Sequence, residues 1–243
     1  MGSAAAIVLA GGSGSRLGAD RNKVYLPLGD RTVLGWSLRA FAEHAQIGPV
    51  VLVARAEDRA AVEHERTQLA AFDPAFDPAF DPAFDVVNGG PTRPESELAG
   101  LRHLAPRIEA GEIDAVLIHD GARPLVRAEL ISAVLRAARA DGGAVPGLLR
   151  DDLGEIASDG TGLRWPPATA GLVTVQTPQG FRARPLLAAY EQAHREGFVG
   201  TDTASCVQRY TDLPVRWVPG DERNLKITYV HDLVTAAHAI AGR

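Results

Sequence analysis

At 243 residues the chain is long enough to bury one sizeable core as a single domain, 1–243. Its 25 Lys and Arg against 30 Asp and Glu leave a net charge of −5, which excludes broad nucleic-acid binding or an anionic membrane surface as the default partner. The single cysteine, Cys206, excludes an intrachain disulfide and a cysteine-rich metal site. No apolar run reaches the roughly 18 residues of a membrane span, so a cytoplasmic protein is expected.

In chain order, short β-rich runs alternate with helical patterns. Strands are predicted at Ala5–Ala10 and Pro49–Ala54, separated by a glycine-rich stretch and a helix over Val33–His44. A helix over Asp58–Leu69 leads to a strand at Asp85–Asn88, then a helix over Glu95–Ala105 to a strand at Ala115–His119. The helix Ala128–Ala140 precedes a strand at Gly143–Pro146. Two helices, Pro185–Glu196 and Asp202–Tyr210, precede a last strand at Leu213–Val218 and a last helix at His231–Ala241. This alternation is that of an α/β protein: a Rossmann-like, three-layer α/β/α fold on a mostly parallel sheet. Right-handed crossovers would put the loops after the strands along one edge, where a site belongs.

Two segments break the pattern. AFDPAFDPAFDPAFD, Ala71 to Asp85, repeats a four-residue unit whose Pro74, Pro78 and Pro82 rule out a continuous helix. It reads as a surface loop, either a functionless insertion or a contact patch made by Phe72, Phe76, Phe80 and Phe84. The segment 148–174 has no clean period, and its turns DLGE and SDGTG suggest a hairpin arm projecting from the core onto a second subunit.

LAGGSGSRLGADRNK, Leu9 to Lys23, follows the first strand with closely spaced glycines. Gly12, Gly14 and Gly18 approach a dinucleotide fingerprint, and Arg55 could imitate an NADP partner. The span from Gly18 to Asp30 is not an amphipathic helix, however, so a pyrophosphate would lack the helix N-terminus it normally sits on. A Walker A motif fails because no Gly-Lys-Ser/Thr follows. Arg16 and Lys23 are either ordinary solvated surface or two cations on a loop of unshielded amides, which suits a triphosphate. Nothing matches a GxSxG elbow or an HExxH helix, so acyl and zinc chemistry drop out.

AGGSGSRLG with NKVYLPLG resembles the start of the 2-C-methyl-D-erythritol 4-phosphate cytidylyltransferase family. Further motifs follow in order. GGPTRPESELAGL from Gly89 is similar to the family's GGxxRxxSVxxGL, and IHDGARP from Ile118 to its HDAARP. QTPQGF from Gln176 is similar to its TPQxF, TDTASCV from Thr201 to its TDDAxxV, and NLKIT from Asn224 to its N-x-K-hydrophobic-Thr.

The resemblance implies an enzyme that joins CTP to a polyol phosphate, most simply 2-C-methyl-D-erythritol 4-phosphate, and releases pyrophosphate. Its implied catalytic cations are Arg16, Lys23 and Lys226. The nucleotide would lie on Ala10, Gly11, Gly12, Ser13, Gly14 and Ser15, with Gly89, Gly90 and Ser96 reading the base and Asp120 and Gly121 closing the site. Asp120 is the implied Mg²⁺ ligand. Arg123, Thr177 and Thr201 are implied acceptor contacts, while Asp202 is expected to cap a helix and His119 to be a packed strand-end histidine.

The chain departs from the family on the acceptor side. The family's P-V-x-D-T-hydrophobic-K reads LLRDDLG here, placing Asp152 at the threonine and Gly154 at the lysine, and the family's arm arginine is Thr169. A lost cation and a gained carboxylate both oppose a phosphomonoester unless Arg150, Arg164 or Arg123 compensates. The family's proline before the loop lysine is Asn22. Alternatives are therefore a nucleotidyltransferase for ribitol 5-phosphate or another sugar phosphate, or a nucleotide-binding paralogue without turnover. A homodimer through the arm, and no nucleic-acid or membrane partner, are expected.

Overall fold

The computed structural model describes residues 2–12, 22–72, 84–153, 155–156, 163–164 and 171–242. Its frame is a parallel sheet. Strand β1 (Ser3–Leu9) lies between β4 (Ile47–Ala54) and β6 (Ile113–Asp120), and β5 (Asp85–Asn88) extends the sheet beyond β4, all in parallel register. On the other side β11 (Gln179–Arg182) pairs antiparallel with both β6 and β7 (Gly143–Arg150), and β12 (Val215–Pro219) runs parallel to β7.

Alternation along β1 shows why these residues form the centre. Ala4, Ala6 and Val8 pack into one apolar layer with Leu34, Leu38 and Phe41 of α1 (Val33–Ala42), Val62 of α2 (Arg59–Phe72) and Ile131, Val134 and Leu135 of α4 (Ala128–Asp141). Ala5 and Ile7 face the opposite layer, built from Leu98, Leu101 and Leu104 of α3 (Arg93–Glu109), Leu186 and Tyr190 of α5 (Ala183–Glu196) and Val207 of α6 (Thr203–Tyr210). A strand buried on both faces has no solvent side to make polar, so after Ser3 the run AAAIVL is apolar throughout. The last helix, α7 (Val230–Ala241), closes a small satellite cluster through Ala236 with Leu28, Val33, Leu125 and Ile227.

The three-layer fold expected from the sequence is the fold observed. Strand β11 is not apparent in the sequence: of its four residues QGFR only Phe181 is a large apolar side chain. Also absent from the sequence reading is a short hairpin, β2 (Pro27–Leu28) and β3 (Arg31–Thr32), turned at Gly29 with φ +67°.

The elements flanking the repeat reach into it: α2 continues through Phe72 and β5 begins at Asp85, and residues 73–83 lie outside the described residues. Phe84 belongs to no exposed patch: it is fully buried, with the Arg66 guanidinium 5.3 Å above its ring. Phe76 and Phe80 lie outside the described residues. In the arm, β7 runs to Arg150 and returns as β10 (Leu172–Val175), antiparallel with Leu172 opposite Arg150. Beyond it, Glu155–Ile156 (β8) and Leu163–Arg164 (β9) form an antiparallel pair.

Candidate active site

Backbone hydrogen bonds stitch the loops leaving β1, β4, β5 and β6 to one another. Ala10 N–H donates to Val53 O at 2.8 Å, Gly89 N–H to Ala54 O at 2.8 Å, and Gly121 N–H to Leu9 O at 2.9 Å. The turns at Gly11–Gly12, Gly89–Gly90 and Asp120–Gly121 thus share the C-terminal edge of the parallel strands, the usual place for a ligand in an open α/β sheet.

Close approach explains the glycines after β5. A Cβ on Gly89 would lie 2.8 Å from Ser96 Oγ, and one on Gly90 would lie 2.4 Å from Glu95 Cβ. Ser96 is held in that gap, its hydroxyl donating to Gly90 O at 3.2 Å. Just before it, Thr92 and Glu95 form a capping box that starts α3.

Asn22 has a task of its own. Its side-chain amide donates to Ala10 O at 2.5 Å and to Asp58 Oδ2 at 3.2 Å, and its Oδ1 accepts from Val24 N–H. This clamp holds the 3-10 turn Lys23–Tyr25 beside the end of β1, and with it Lys23. Arg55, the residue placed to imitate an NADP partner, is engaged by Asp58 at 2.9 and 2.7 Å.

The centre of the edge is Asp120, 7% exposed. Its Oδ1 takes a short bond from Arg93 Nη1, its Oδ2 lies 2.7 Å from Lys226 Nζ, and Arg123 Nε is 3.8 Å from the same oxygen. Burial would push this carboxyl up, but Arg93 and Lys226 outweigh burial and hold it well below the usual carboxylate range. Arg93 also pairs through Nε with Glu97 Oε1 at 3.0 Å, so its guanidinium bridges two carboxylates.

The segment after β10 locks this cluster. Thr177 Oγ1 accepts from Asp120 N–H at 3.0 Å and donates to His119 Nδ1 at 3.1 Å, while His119 Nε2 donates to Arg123 O at 3.2 Å. Desolvation takes the His119 imidazole down to about 3, so it is a neutral packed histidine, as expected. Thr177 is 4% exposed, and its hydroxyl is engaged in holding Asp120 and His119. Arg123 Nη1 donates to Asn224 O at 2.8 Å, and the Asn224 amide donates to Thr177 O at 2.8 Å. Lys226, two residues on, is thereby aimed at Asp120.

Asp202 caps α6, accepting Ser205 N–H at 2.9 Å, with exposed Thr201 just before it. Asp152 lies on the exposed arm, where Arg150 Nε donates to its Oδ1 at 2.7 Å. Ser13, Gly14, Ser15, Arg16 and Thr169 lie outside the described residues. The sequence reading missed Arg93, Glu97 and Asn224 as site residues. The arginine was legible in GGxxRxxS, and the glutamate stands where that family pattern has valine, a departure whose meaning comes from contacts with α5 and α6.

Among the described residues no cluster of acids, histidines or cysteines could hold a metal unaided. Cys206 is buried and its thiol is pushed up to about 12, which removes it as a nucleophile. What remains is a cluster of cations, Arg93, Arg123 and Lys226, gathered on Asp120 beside the glycine turns, a charge pattern suited to a polyphosphate.

Residues 4–242 match the family described as IspD, 2-C-methyl-D-erythritol 4-phosphate cytidylyltransferase. The chain belongs to this family. It is 36% identical over 231 residues to the 2-C-methyl-D-erythritol 4-phosphate cytidylyltransferase of Geobacter metallireducens, covering 95% of this chain and 94% of that one. The enzyme of the same name from Synechococcus elongatus is 36% identical over 233 residues, covering 95% and 93%.

Among solved IspD structures, 4-diphosphocytidyl-2C-methyl-D-erythritol synthase from Anaerococcus prevotii superposes with a TM-score of 0.81 at 25% identity, covering 99% of this chain and 96% of that one. The 2-C-methyl-D-erythritol 4-phosphate cytidylyltransferase of Thermus thermophilus gives 0.70 at 31% identity, covering 99% and 100%. As an IspD-family member the chain is a nucleotidyltransferase of the cytidylyl class with a Rossmann-like fold. No helix among its described residues is long and apolar enough to cross a membrane.

Proposed function

We propose that this IspD-family chain transfers CMP from CTP to 2-C-methyl-D-erythritol 4-phosphate and releases pyrophosphate, in isoprenoid precursor synthesis. The observation that carries the reading is Asp120 clasped by Arg93 and Lys226 between the glycine turns. An acceptor phosphate oxygen attacks the α-phosphorus in line as pyrophosphate leaves, a reaction that needs positioning and charge stabilisation more than covalent help.

Lys226 stabilises charge growing on the α-phosphate. Lys23 and Arg16 neutralise the β- and γ-phosphates, whose oxygens accept from amides of Gly11, Gly12 and Ser13 to Ser15. Ser96, Gly89 and Gly90 hold the base. Arg123 and Thr201 face the acceptor side, with Thr177 acting through Asp120.

One buried carboxylate fits a Mg²⁺ ion only when phosphate oxygens complete the shell, which is how this ion is commonly bound. Asp120 would hold it, with Lys226 shifting from the carboxylate to the triphosphate. When bound, the ion supplies charge neutralisation on the phosphates.

Asp152 is compatible with a phosphorylated acceptor because Arg150 neutralises it. The arm 148–174 meets a second copy in a cytoplasmic homodimer. Pyrophosphate release measured with four nucleoside triphosphates against methylerythritol, ribitol and other polyol phosphates tests the reading. CTP with methylerythritol phosphate should be fastest, and preference for another pair replaces it.

A further inference from the structure

Glu97 lies on the apolar side of α3 and is 1% exposed. A carboxylate there is expensive unless its oxygens are satisfied and its charge is paired. Both conditions are met: the charge partner is Arg93, one turn back on α3, and the hydrogen-bond donors come from α5 and α6. Oε1 lies 3.0 Å from Arg93 Nε and accepts from Thr203 Oγ1 at 3.0 Å, while Oε2 takes a short bond from Tyr190 O–H. Tyr190 is on α5 and Thr203 opens α6, so three helices converge on one carboxylate. Arg93 in turn reaches Asp120 through Nη1. Nη1 is hydrogen-bonded to Asp120, and the Glu97 carboxylate faces Nε as a charge partner at 3.0 Å without an aligned hydrogen bond, so the guanidinium sits between the two carboxylates.

The family pattern GGxxRxxSVxxGL has valine at the position of Glu97, and TDDAxxV has aspartate at the position of Thr203. The chain reverses both, and the two reversed positions touch at 3.0 Å. On that pattern, valine with aspartate, or glutamate with threonine, would each place one carboxylate at the contact between α3 and α6. Either change alone would leave none or two: none frees one edge of Arg93, and two place like charges together in a buried site.

We propose that Glu97 is the positioning residue for Arg93, supplying from α3 the carboxylate that the family pattern carries at position 203 of α6. Glu97 touches no substrate; it acts through the orientation of Arg93 beside Asp120. The inference rests on the reading of this edge as the nucleotide-transfer site.

The test is an exchange. E97V, T203D, the double variant E97V/T203D and the isosteric E97Q are each assayed for kcat and KM by pyrophosphate release from CTP with methylerythritol phosphate, and for Tm. Losing a partner of a buried ion pair should lower kcat in E97V by about tenfold or more. T203D should lower both kcat and Tm. The double variant should recover to within about threefold of the parent kcat, with a Tm above both single variants, since contacting sites are non-additive. E97Q should lose several-fold in kcat, with little change in KM for CTP and a near-parental Tm. A double variant as slow as E97V, or E97V at parental kcat, overturns the proposal. If E97V does not fold, E97Q decides: parental kcat overturns, and reduced kcat at unchanged Tm supports. If the unaltered protein releases no pyrophosphate with any acceptor, the proposed reaction fails and the exchange is still judged from Tm. A double variant more stable than both singles supports it, and one at or below E97V overturns it.

Discussion

Lys226→Ala separates catalysis from folding most cleanly. Nζ lies 2.7 Å from Asp120 Oδ2, with the lysine side chain 43% exposed and the carboxylate 9% exposed. For unit charges about 4 Å apart at an effective dielectric constant of about 20, Coulomb attraction is about 4 kcal/mol. Desolvation of the carboxylate and solvent around the half-exposed ammonium offset most of this, leaving about 1 kcal/mol of net stability. Asp120 keeps Arg93 when the lysine is gone, so no buried charge is orphaned. In a domain of this size about 1 kcal/mol lowers Tm by about 2–4 °C. Turnover should suffer far more. A preorganised charge aimed at developing anionic oxygen is worth about 10²–10³ in kcat, or about 3–4 kcal/mol. The assay is pyrophosphate release at saturating CTP and acceptor, with a melting curve on the same sample. A kcat within threefold of the parent would refute the role given to Lys226. A Tm drop of more than about 10 °C would refute the energetic argument instead.

Lys23→Ala should abolish turnover with Tm nearly unchanged, because Asn22 rather than Lys23 carries the clamp on Ala10 O and Asp58; full activity by pyrophosphate release would sink the proposed triphosphate site. Arg150→Ala should raise KM for the polyol phosphate several-fold and leave KM for CTP alone, since it exposes the acceptor to the unneutralised Asp152; steady-state kinetics in each substrate decides. The buried His119 makes stability depend on pH with a definite sign. Its folded value, about 3, lies below its ordinary 6.5, so its contribution is complete above pH 6.5 and is lost as pH falls toward 3, where the unfolded chain binds the proton first. Glu97, pushed up by burial, acts in the opposite sense above the ordinary carboxylate range. The difference between parent and His119→Gln isolates the histidine: urea midpoints should fall less steeply between pH 6.5 and 4 in the variant, and parallel curves would contradict the assignment.

The division between what the sequence disclosed and what it hid follows contact range. Elements whose pattern is local were legible: β1 as an apolar run, the body of α3 as a helical pattern over Glu95–Ala105, Asp202 as a cap for α6, and the glycine turns after β1 and β5. What required the structure was whatever depends on partners far along the chain. Strand β11 exists because β6 and β7 leave a gap between them, and four residues with one large apolar side chain do not announce that role. Thr177 looks like an available hydroxyl until Asp120 and His119, 57 and 58 residues away, are seen to take it.

The same reasoning changes how departures from a family pattern are weighed. Taken singly, Asp152, Asn22, Glu97 and Thr203 each look like damage to a site. In the fold three of the four have a compensating partner of their own. Arg150 neutralises Asp152, Ala10 O and Asp58 receive Asn22, and Thr203 with Tyr190 satisfies Glu97. Thr203 is then no independent loss, since the carboxylate missing from it is present 3.0 Å away. A substitution that removes a charge from a buried contact should therefore be judged by the charge balance of the contact, because the cost of an unpaired buried group is set by its neighbours and not by the helix that carries it. By that measure the contact between α3 and α6 still holds one carboxylate, carried by Glu97. The acceptor side turns on whether Arg150, already spent on Asp152, still leaves enough positive charge for a phosphomonoester, which is why the two KM values of Arg150→Ala must move apart.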